Sequence, residues 1–323
     1  MIKTTLTDII EVDYPIILAP MFLVSNTAMI KAALDAGITA SFPALNYRTD
    51  KEFRAAIDDI RSHTDKPFGV NLIVNKSNPK YKSQLATCVD KKVDYIITSL
   101  GSPEECIRLC KPHGIKIICD VIDLKYALKV QEQGADAVIA VNSIAGGHAG
   151  HTPPEALVPE LSKALTIPVI SAGGVAYGAD IKSAMDLGAA GVSVGTIFIA
   201  SKEAGVSQEY KQALVDYKAK DIVKTTKMSG SALTVINTPY VQTIGTKASW
   251  LEKLMHKNKT LKKYIKMFIF VRGTMAIEKA AFKATYKTVW VAGPSIEHIH
   301  EIKSVGEIAK KLCKELESLV SEN

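Results

Sequence analysis

No stretch of this 323-residue chain comes near the roughly 18 consecutive apolar residues of a membrane span, so no membrane-embedded segment is predicted. The opening residues, Met1-Ile2-Lys3-Thr4-Thr5-Leu6-Thr7-Asp8, lack the apolar run of a secretory signal. Cysteine is scarce and odd in number: Cys88, Cys106, Cys110, Cys119 and Cys313. Their irregular spacing excludes a disulfide framework and points to a reducing compartment, the cytoplasm. Cys106 and Cys110 lie one helical turn apart. No neighbouring Cys or His completes a zinc set, so buried apolar thiols and no metal site are predicted. Internal repeats and low-complexity segments are absent. No nucleic-acid-binding motif accompanies the net charge of +7, so nucleic acid is not an expected partner.

What is present suits a large soluble core. Apolar residues make up 47% of the chain and charged ones 23%, the balance of a globular protein. The length fits either two ordinary domains or one large α/β barrel. Positive charge gathers in residues 247–266, where Lys253, Lys257, Lys259, Lys262, Lys263 and Lys266 crowd together. That run is either the solvated face of a helix or a docking surface for an acidic partner or phosphorylated substrate.

Short β-branched runs alternate with helical patterns as far as about residue 215. Strands are predicted at 15–19, 38–42, 68–73, 95–98, 115–119, 135–141, 168–171 and 191–194. Helices are predicted at 26–36, 50–62, 81–91, 103–111, 124–133, 154–165 and 179–187. Asn26 is a natural N-cap, and Gly37, Gly114, Gly134 and Gly188 stand where helices should end before strands. The strands are near-continuous in apolar residues, as parallel strands covered on both faces are. Eight such units fit an α/β fold of the (β/α)₈ TIM-barrel class. A doubly wound open sheet is the competitor. Residues 221–287 carry little strand signal and read as a mostly helical cap or insertion after strand eight, with helices at 247–270 and 274–286. The expected organisation is a barrel over 1–220, the cap over 221–287, and a return segment over 288–323 ending in an amphipathic helix at 304–321.

In such a barrel, function sits at the C-terminal ends of the strands. The most informative segment is Ala145-Gly146-Gly147-His148-Ala149-Gly150-His151, after the apolar run 136–141. Glycines there let backbone amides approach a planar or anionic group, and His148 can give or take a proton. The alternative is a glycine-rich turn carrying an exposed histidine. Strand seven runs into Ser171-Ala172-Gly173-Gly174-Val175 and strand eight into Gly195-Thr196. Bare amides in these two loops can point at phosphate oxygens. Strand one leads to Ala19-Pro20-Met21-Phe22 and strand three to Asn71.

Together, Ala19-Pro20-Met21, Gly69-Val70-Asn71, Ala145-Gly146-Gly147-His148-Ala149-Gly150, Ser171-Ala172-Gly173-Gly174-Val175 and Val194-Gly195-Thr196 resemble the nitronate monooxygenase family. That family was formerly called 2-nitropropane dioxygenase. It shares its fold and flavin site with the FMN-dependent enoyl-acyl-carrier-protein reductases. The resemblance covers roughly residues 10–215 and returns near Ala292-Gly293. It implies FMN as cofactor, with Ala19, Pro20 and Met21 against the isoalloxazine and Asn71 at its polar edge. Gly147 comes close to the cofactor, and Ala172, Gly173, Gly174, Gly195 and Thr196 hold its phosphate. His148 is implied as the catalytic base on the substrate side. The implied activity is oxidation of alkyl nitronates or nitroalkanes with O2 to carbonyl compounds and nitrite. An NAD(P)H-dependent enoyl-thioester reductase is the first alternative, with the lysine-rich segment suiting an acidic carrier protein. A flavin-binding subunit or sensor with little turnover is the alternative of another class. A small molecule is the expected substrate, and a homo-oligomer is left open.

The chain departs from the family pattern at several points. Gly293-Pro294-Ser295 stands where the family often has Gly-Gln-Ser. Asp120 aligns with a lysine of many monooxygenases, and either faces the flavin or pairs with Lys125 or Lys116. Ile144 stands where the reductases tend to have glutamate. His151 is expected to be exposed, and no role is assigned to His298 or His300.

Overall fold

Alternation within the apolar runs decides which side chain faces where. In a strand, successive side chains point to opposite faces, so a run apolar throughout must be covered on both. The computed structural model, described here over residues 1–75, 78–226, 232–247 and 289–321, has that arrangement. Eight parallel strands close into a barrel: β1 (Ile16–Leu18), β2 (Thr39–Pro43), β3 (Gly69–Ile73), β4 (Tyr95–Ser99), β5 (Lys116–Val121), β6 (Ala137–Val141), β8 (Val169–Ala172) and β9 (Gly191–Val194). Closure pairs Ile17 of β1 with Thr39 on one side and Ser193 on the other. Ile118, Ala137 and Ile139 face the barrel interior, while Ile117, Cys119, Val138 and Ala140 pack outward under the helices. The open-sheet alternative is excluded by the β1–β9 pairing.

Helices α2 (Thr27–Asp35), α3 (Asp50–Arg61), α4 (Tyr81–Asp90), α5 (Glu104–Cys110), α6 (Leu124–Glu132), α7 (Pro154–Ala164) and α8 (Gly178–Asp186) fill the crossovers. Asn26 caps α2, its Oδ1 accepting the Met29 N–H at 2.9 Å. Gly37, Gly114, Gly134 and Gly188 all have positive φ, between 75° and 101°. The five cysteines are buried free thiols. No described helix is long and apolar enough to cross a membrane.

Helices at 5–10 and 208–216 were not expected from the sequence. The short α1 (Thr5–Ile10) begins with a reciprocal Thr4–Thr7 cap, and its Leu6 and Ile10 join the barrel-interior cluster as a floor. Tyr95 lies wholly inside the barrel, its hydroxyl 2.9 Å from Thr39 Oγ1. Gly69 makes room for it: a Cβ there would lie 2.1 Å from the Tyr95 ring.

The region after the barrel also differs from expectation. Its described part holds two strands, β10 (Ile222–Thr225) and β11 (Leu233–Ile236), and the short helix α11 (Pro239–Ile244). The strands form an antiparallel sheet with β7 (Gly147–His148), in the order β10-β11-β7. Both are only four residues long, too short for a clear period; they pair with each other, and β11 also pairs with β7 far back in the chain. The helices expected at 247–270 and 274–286, and all of the lysine run except Lys247, fall outside the described residues. Between the barrel and this sheet lie α9 (Thr196–Ile199) and α10 (Gln208–Asp216). The return segment bridges Val291 to Val235, and the C-terminal helix Val305–Ser321 packs against α8 and α2.

Candidate active site

Parallel strands in one closed barrel deliver all their C-terminal loops to a single mouth. At the end of β1, Ala19-Pro20-Met21 forms a turn pinned from within. The Ala19 N–H donates to Val194 O at 2.9 Å. Ser25 Oγ donates to Ala19 O at 3.0 Å and accepts the Met21 N–H at 2.9 Å. Asn46 braces the same turn, accepting from Leu23 N at 2.8 Å and donating to Ser25 O at 2.7 Å. Leu23 is thereby held in the left-handed region at φ 59°.

Across the mouth, Asn71 Nδ2 donates to Ile97 O at 3.0 Å and to Ser99 Oγ at 2.7 Å. Both amide hydrogens are used, which leaves Oδ1 as the acceptor. Ser99 Oγ in turn donates to Asp120 Oδ2. Asp120 is therefore partnered by Ser99, not by Lys116 or Lys125. Burial pushes its carboxyl up to about 6, against the downward pull of the Ser99 hydrogen bond.

The loop after β6 is organised by Asn142, a fully buried residue. Its Nδ2 donates to Gly173 O at 3.1 Å and its Oδ1 accepts the Ile144 N–H at 3.0 Å. The glycines of this loop serve packing of the chain on itself. A Cβ on Gly146 would lie 2.9 Å from both Gly293 N and Thr196 Oγ1, and one on Gly150 would lie 2.3 Å from Val141 O. This close packing of the chain is reason enough for glycine at both positions. Gly147, at φ 78°, and His148 instead form the edge strand β7, with His148 opposite Leu233. The His148 side chain reaches solvent but is ringed by protein atoms, and that desolvation holds its pKa below the usual 6.5. A neutral imidazole, able to accept a proton, results.

After β8, Ala172 leads into Gly173 at φ 116° and Gly174 at φ 90°, conformations that favour glycine. Among the described residues no acceptor meets the N–H groups of Gly173 or Gly174. Such idle amides on successive residues make a concavity for an anion. Gly195 and Thr196 begin α9 beside them, and a Cβ on Gly195 would touch Met21 Sδ at 3.3 Å. Thr196 Oγ1 accepts the Gly293 N–H at 3.0 Å, so this threonine also ties down the return segment. Pro294 opens the turn Pro294–His298, and the return segment meets the mouth through the Gly293 backbone.

The structure thus gathers Ala19, Pro20, Met21, Gly147, His148, Ala172, Gly173, Gly174, Gly195 and Thr196 on one side, with Asn71 on strands opposite. His151 is exposed, as expected. His298 and His300 are also exposed, and His298 packs against Tyr177 at 4.9 Å between ring centroids. Sequence reasoning missed Ser25, Asn46, Ser99 and Asn142. Their residue types are common, and the signal was their place at, or within seven residues after, the end of a barrel strand.

The fold and mouth define a (β/α)₈ barrel whose candidate active site lies at the C-terminal ends of its strands, and the family match below makes it an oxidoreductase. A family model described as nitronate monooxygenase matches residues 3–315, and the chain belongs to that family. FabK from Thermotoga maritima is similar at 30% identity and a TM-score of 0.86, covering 100% of this chain and 98% of that one. A (3aS,4S,5R,7aS)-5-hydroxy-7a-methyl-1-oxo-octahydro-1H-indene-4-carboxyl-CoA dehydrogenase of Rhodococcus jostii (strain RHA1) is 30% identical over 243 residues, 75% of this chain and 68% of the relative. A probable nitronate monooxygenase of Staphylococcus aureus (strain MSSA476) is 26% identical over 284 residues, 74% of this chain and 80% of the relative.

Proposed function

We propose that the protein binds FMN at the barrel mouth and oxidises alkyl nitronates or nitroalkanes with O2. The observation that carries this reading is the pair of idle amides at Gly173 and Gly174, at the same end of the barrel as the loop that carries His148, whose imidazole burial holds neutral. FMN, when bound, supplies the electron-accepting chemistry and passes electrons to oxygen. The residues present fit it: a glycine cradle for its phosphate at Gly173, Gly174, Gly195 and Thr196, and an acceptor at Asn71 Oδ1 for a ring N–H. Ala172 leads into the cradle, and Gly147 sets His148 beside it. Ala19, Pro20 and Met21 offer a braced, largely apolar wall for the ring. A ring nitrogen of His148 removes the α-proton of a neutral nitroalkane, while a nitronate has already lost it. We further propose that residues 221–287 cap the substrate side, because β11 of that segment pairs directly with His148. Residues 1–220 then hold the cofactor, and 288–323 return to brace the mouth.

A second reading, an NAD(P)H-dependent enoyl-thioester reductase, is favoured by one observation. The carboxyl-CoA dehydrogenase is more similar, at 30%, than the nitronate monooxygenases at 26%. In that reading His148 donates a proton to the substrate carbon, and an acidic carrier protein is a candidate partner.

Anaerobic absorbance titration of the purified protein separates the two. Bleaching of the flavin by an alkyl nitronate alone is the expected result. Bleaching by NADH or NADPH alone, with none by nitronate, would move the assignment to the reductase. A protein that stays colourless after FMN is added would overturn both.

A further inference from the structure

The mouth contains a half-buried acid that the proposed reaction does not use. Asp120 lies one residue before the end of β5, and its carboxylate is joined to the Asn71 amide through a single hydroxyl, Ser99 Oγ. This line of side chains is held firmly. Leu100, next to Ser99, sits in the left-handed region at φ 60°. Gly101 after it backs onto Val74 O, and the Tyr126 hydroxyl donates to Gly101 O. Ser99 is thus fixed from both sides, and Asp120 with it.

The groups around Asp120 offer it no compensating positive charge among the described residues. Ile139 of β6 stands opposite in register. Cys119, its chain neighbour, is pushed by burial up to about 12 and stays a neutral thiol. Tyr126 of α6 is raised by burial and stays a neutral phenol. Ser99 of β4 and Asn71 of β3 are polar but uncharged. A carboxylate in such a place is the local source of negative potential, and little water screens it.

We propose that Asp120 couples protonation to the charge of the flavin: its carboxylate, two hydrogen bonds from the Asn71 acceptor, opposes negative charge on the reduced ring and takes up a proton when that charge arrives. The inference rests on the FMN reading above. Two-electron reduction of FMN to its singly protonated anion consumes two electrons and one proton. With Asp120 ionised beforehand, a second proton is bound at its carboxyl group, so the couple takes up two protons in all. The electrons come from the reductant that serves the reaction, or from a mediator at an electrode.

The sign follows from the direction of the shift. Burial already raises the Asp120 carboxyl from 3.8 to about 6, so it is ionised above that value and neutral below it. A neighbouring negative charge raises it further. Replacing Asp120 with asparagine removes the charge while keeping an oxygen for Ser99.

The test is spectroelectrochemical titration of the FMN-loaded protein and the Asp120→Asn variant between about pH 5 and 8. The expected result is a midpoint potential shifted to more positive values in the variant at the alkaline end, converging with the unsubstituted protein at the acid end. In Ser99→Ala the carboxylate loses its hydrogen bond and takes up its proton at higher pH, so the bend in the plot of potential against pH moves to higher pH than in the unsubstituted protein; this variant tests the same idea if Asp120→Asn does not fold. Equal potentials for the protein and Asp120→Asn across the range would overturn the inference and leave FMN binding intact. A protein that takes up no FMN would overturn the reading beneath it, and the inference with it.

Discussion

At the scale of single residues, the site works by fixing polar atoms in place before any ligand arrives. His148 illustrates this through its pKa. A histidine whose pKa is lowered stays neutral to lower pH, so its capacity as a base is lost only as pH falls through that lowered value. The acid limb of turnover should therefore lie below 6.5 and disappear in His148→Ala. That variant should lose about 10²–10⁴-fold in turnover of a neutral nitroalkane, and far less with a preformed nitronate, while retaining FMN, measured by steady-state rates and flavin absorbance. Ser25 predicts an effect on stability. Ser25→Ala removes a buried hydroxyl that serves both Met21 and Ala19, and should cost about 1–3 kcal/mol in urea denaturation. His148 and Asn71 were legible in the sequence because a histidine among glycines, or an asparagine at a strand end, is conspicuous. Ser25, Asn46, Ser99 and Asn142 were not: Asn46, Ser99 and Asn142 acquire partners from neighbouring strands, and Ser25 acts through a turn whose shape the residue type does not announce. Asp120 was noticed but its partner was not: lysines near in sequence were considered, and a serine on the adjacent strand holds it.

At the scale of elements, the eight barrel strands were legible because burial on both faces leaves an unbroken apolar record. Strands β7, β10 and β11 leave none. Each is short; β10 and β11 pair locally as a hairpin, but the pairing that makes β7 a strand joins residues more than eighty positions apart. The glycines show the same divide. Gly37 and Gly134 obey local rules at helix ends, whereas Gly146 is required by Gly293 and Thr196. Gly146→Ala should overpack that junction and destabilise it by about 1–3 kcal/mol, seen as a lower Tm and faster proteolysis of the return segment. Gly306 is a useful contrast. It lies in the C-terminal helix with open space where a Cβ would stand. Gly306→Ala should stabilise by about 0.5–1 kcal/mol in the same assay.

At the scale of the whole molecule, the barrel is closed twice: laterally by β1 against β9, and from below by α1. Leu6 is fully buried in the interior cluster, so Leu6→Ala should cost about 2–5 kcal/mol in chemical denaturation. Chain order gives the upper end a different character. The last barrel strand is complete at Val194, yet the loop bearing His148 rests on Gly293, roughly a hundred residues further along. During synthesis at about 5–20 residues per second, the wall can form many seconds before the mouth has its final shape. A ribosome-bound chain halted between these points would be a barrel without a finished site, and loading with a small molecule would have to await release of nearly the entire polypeptide.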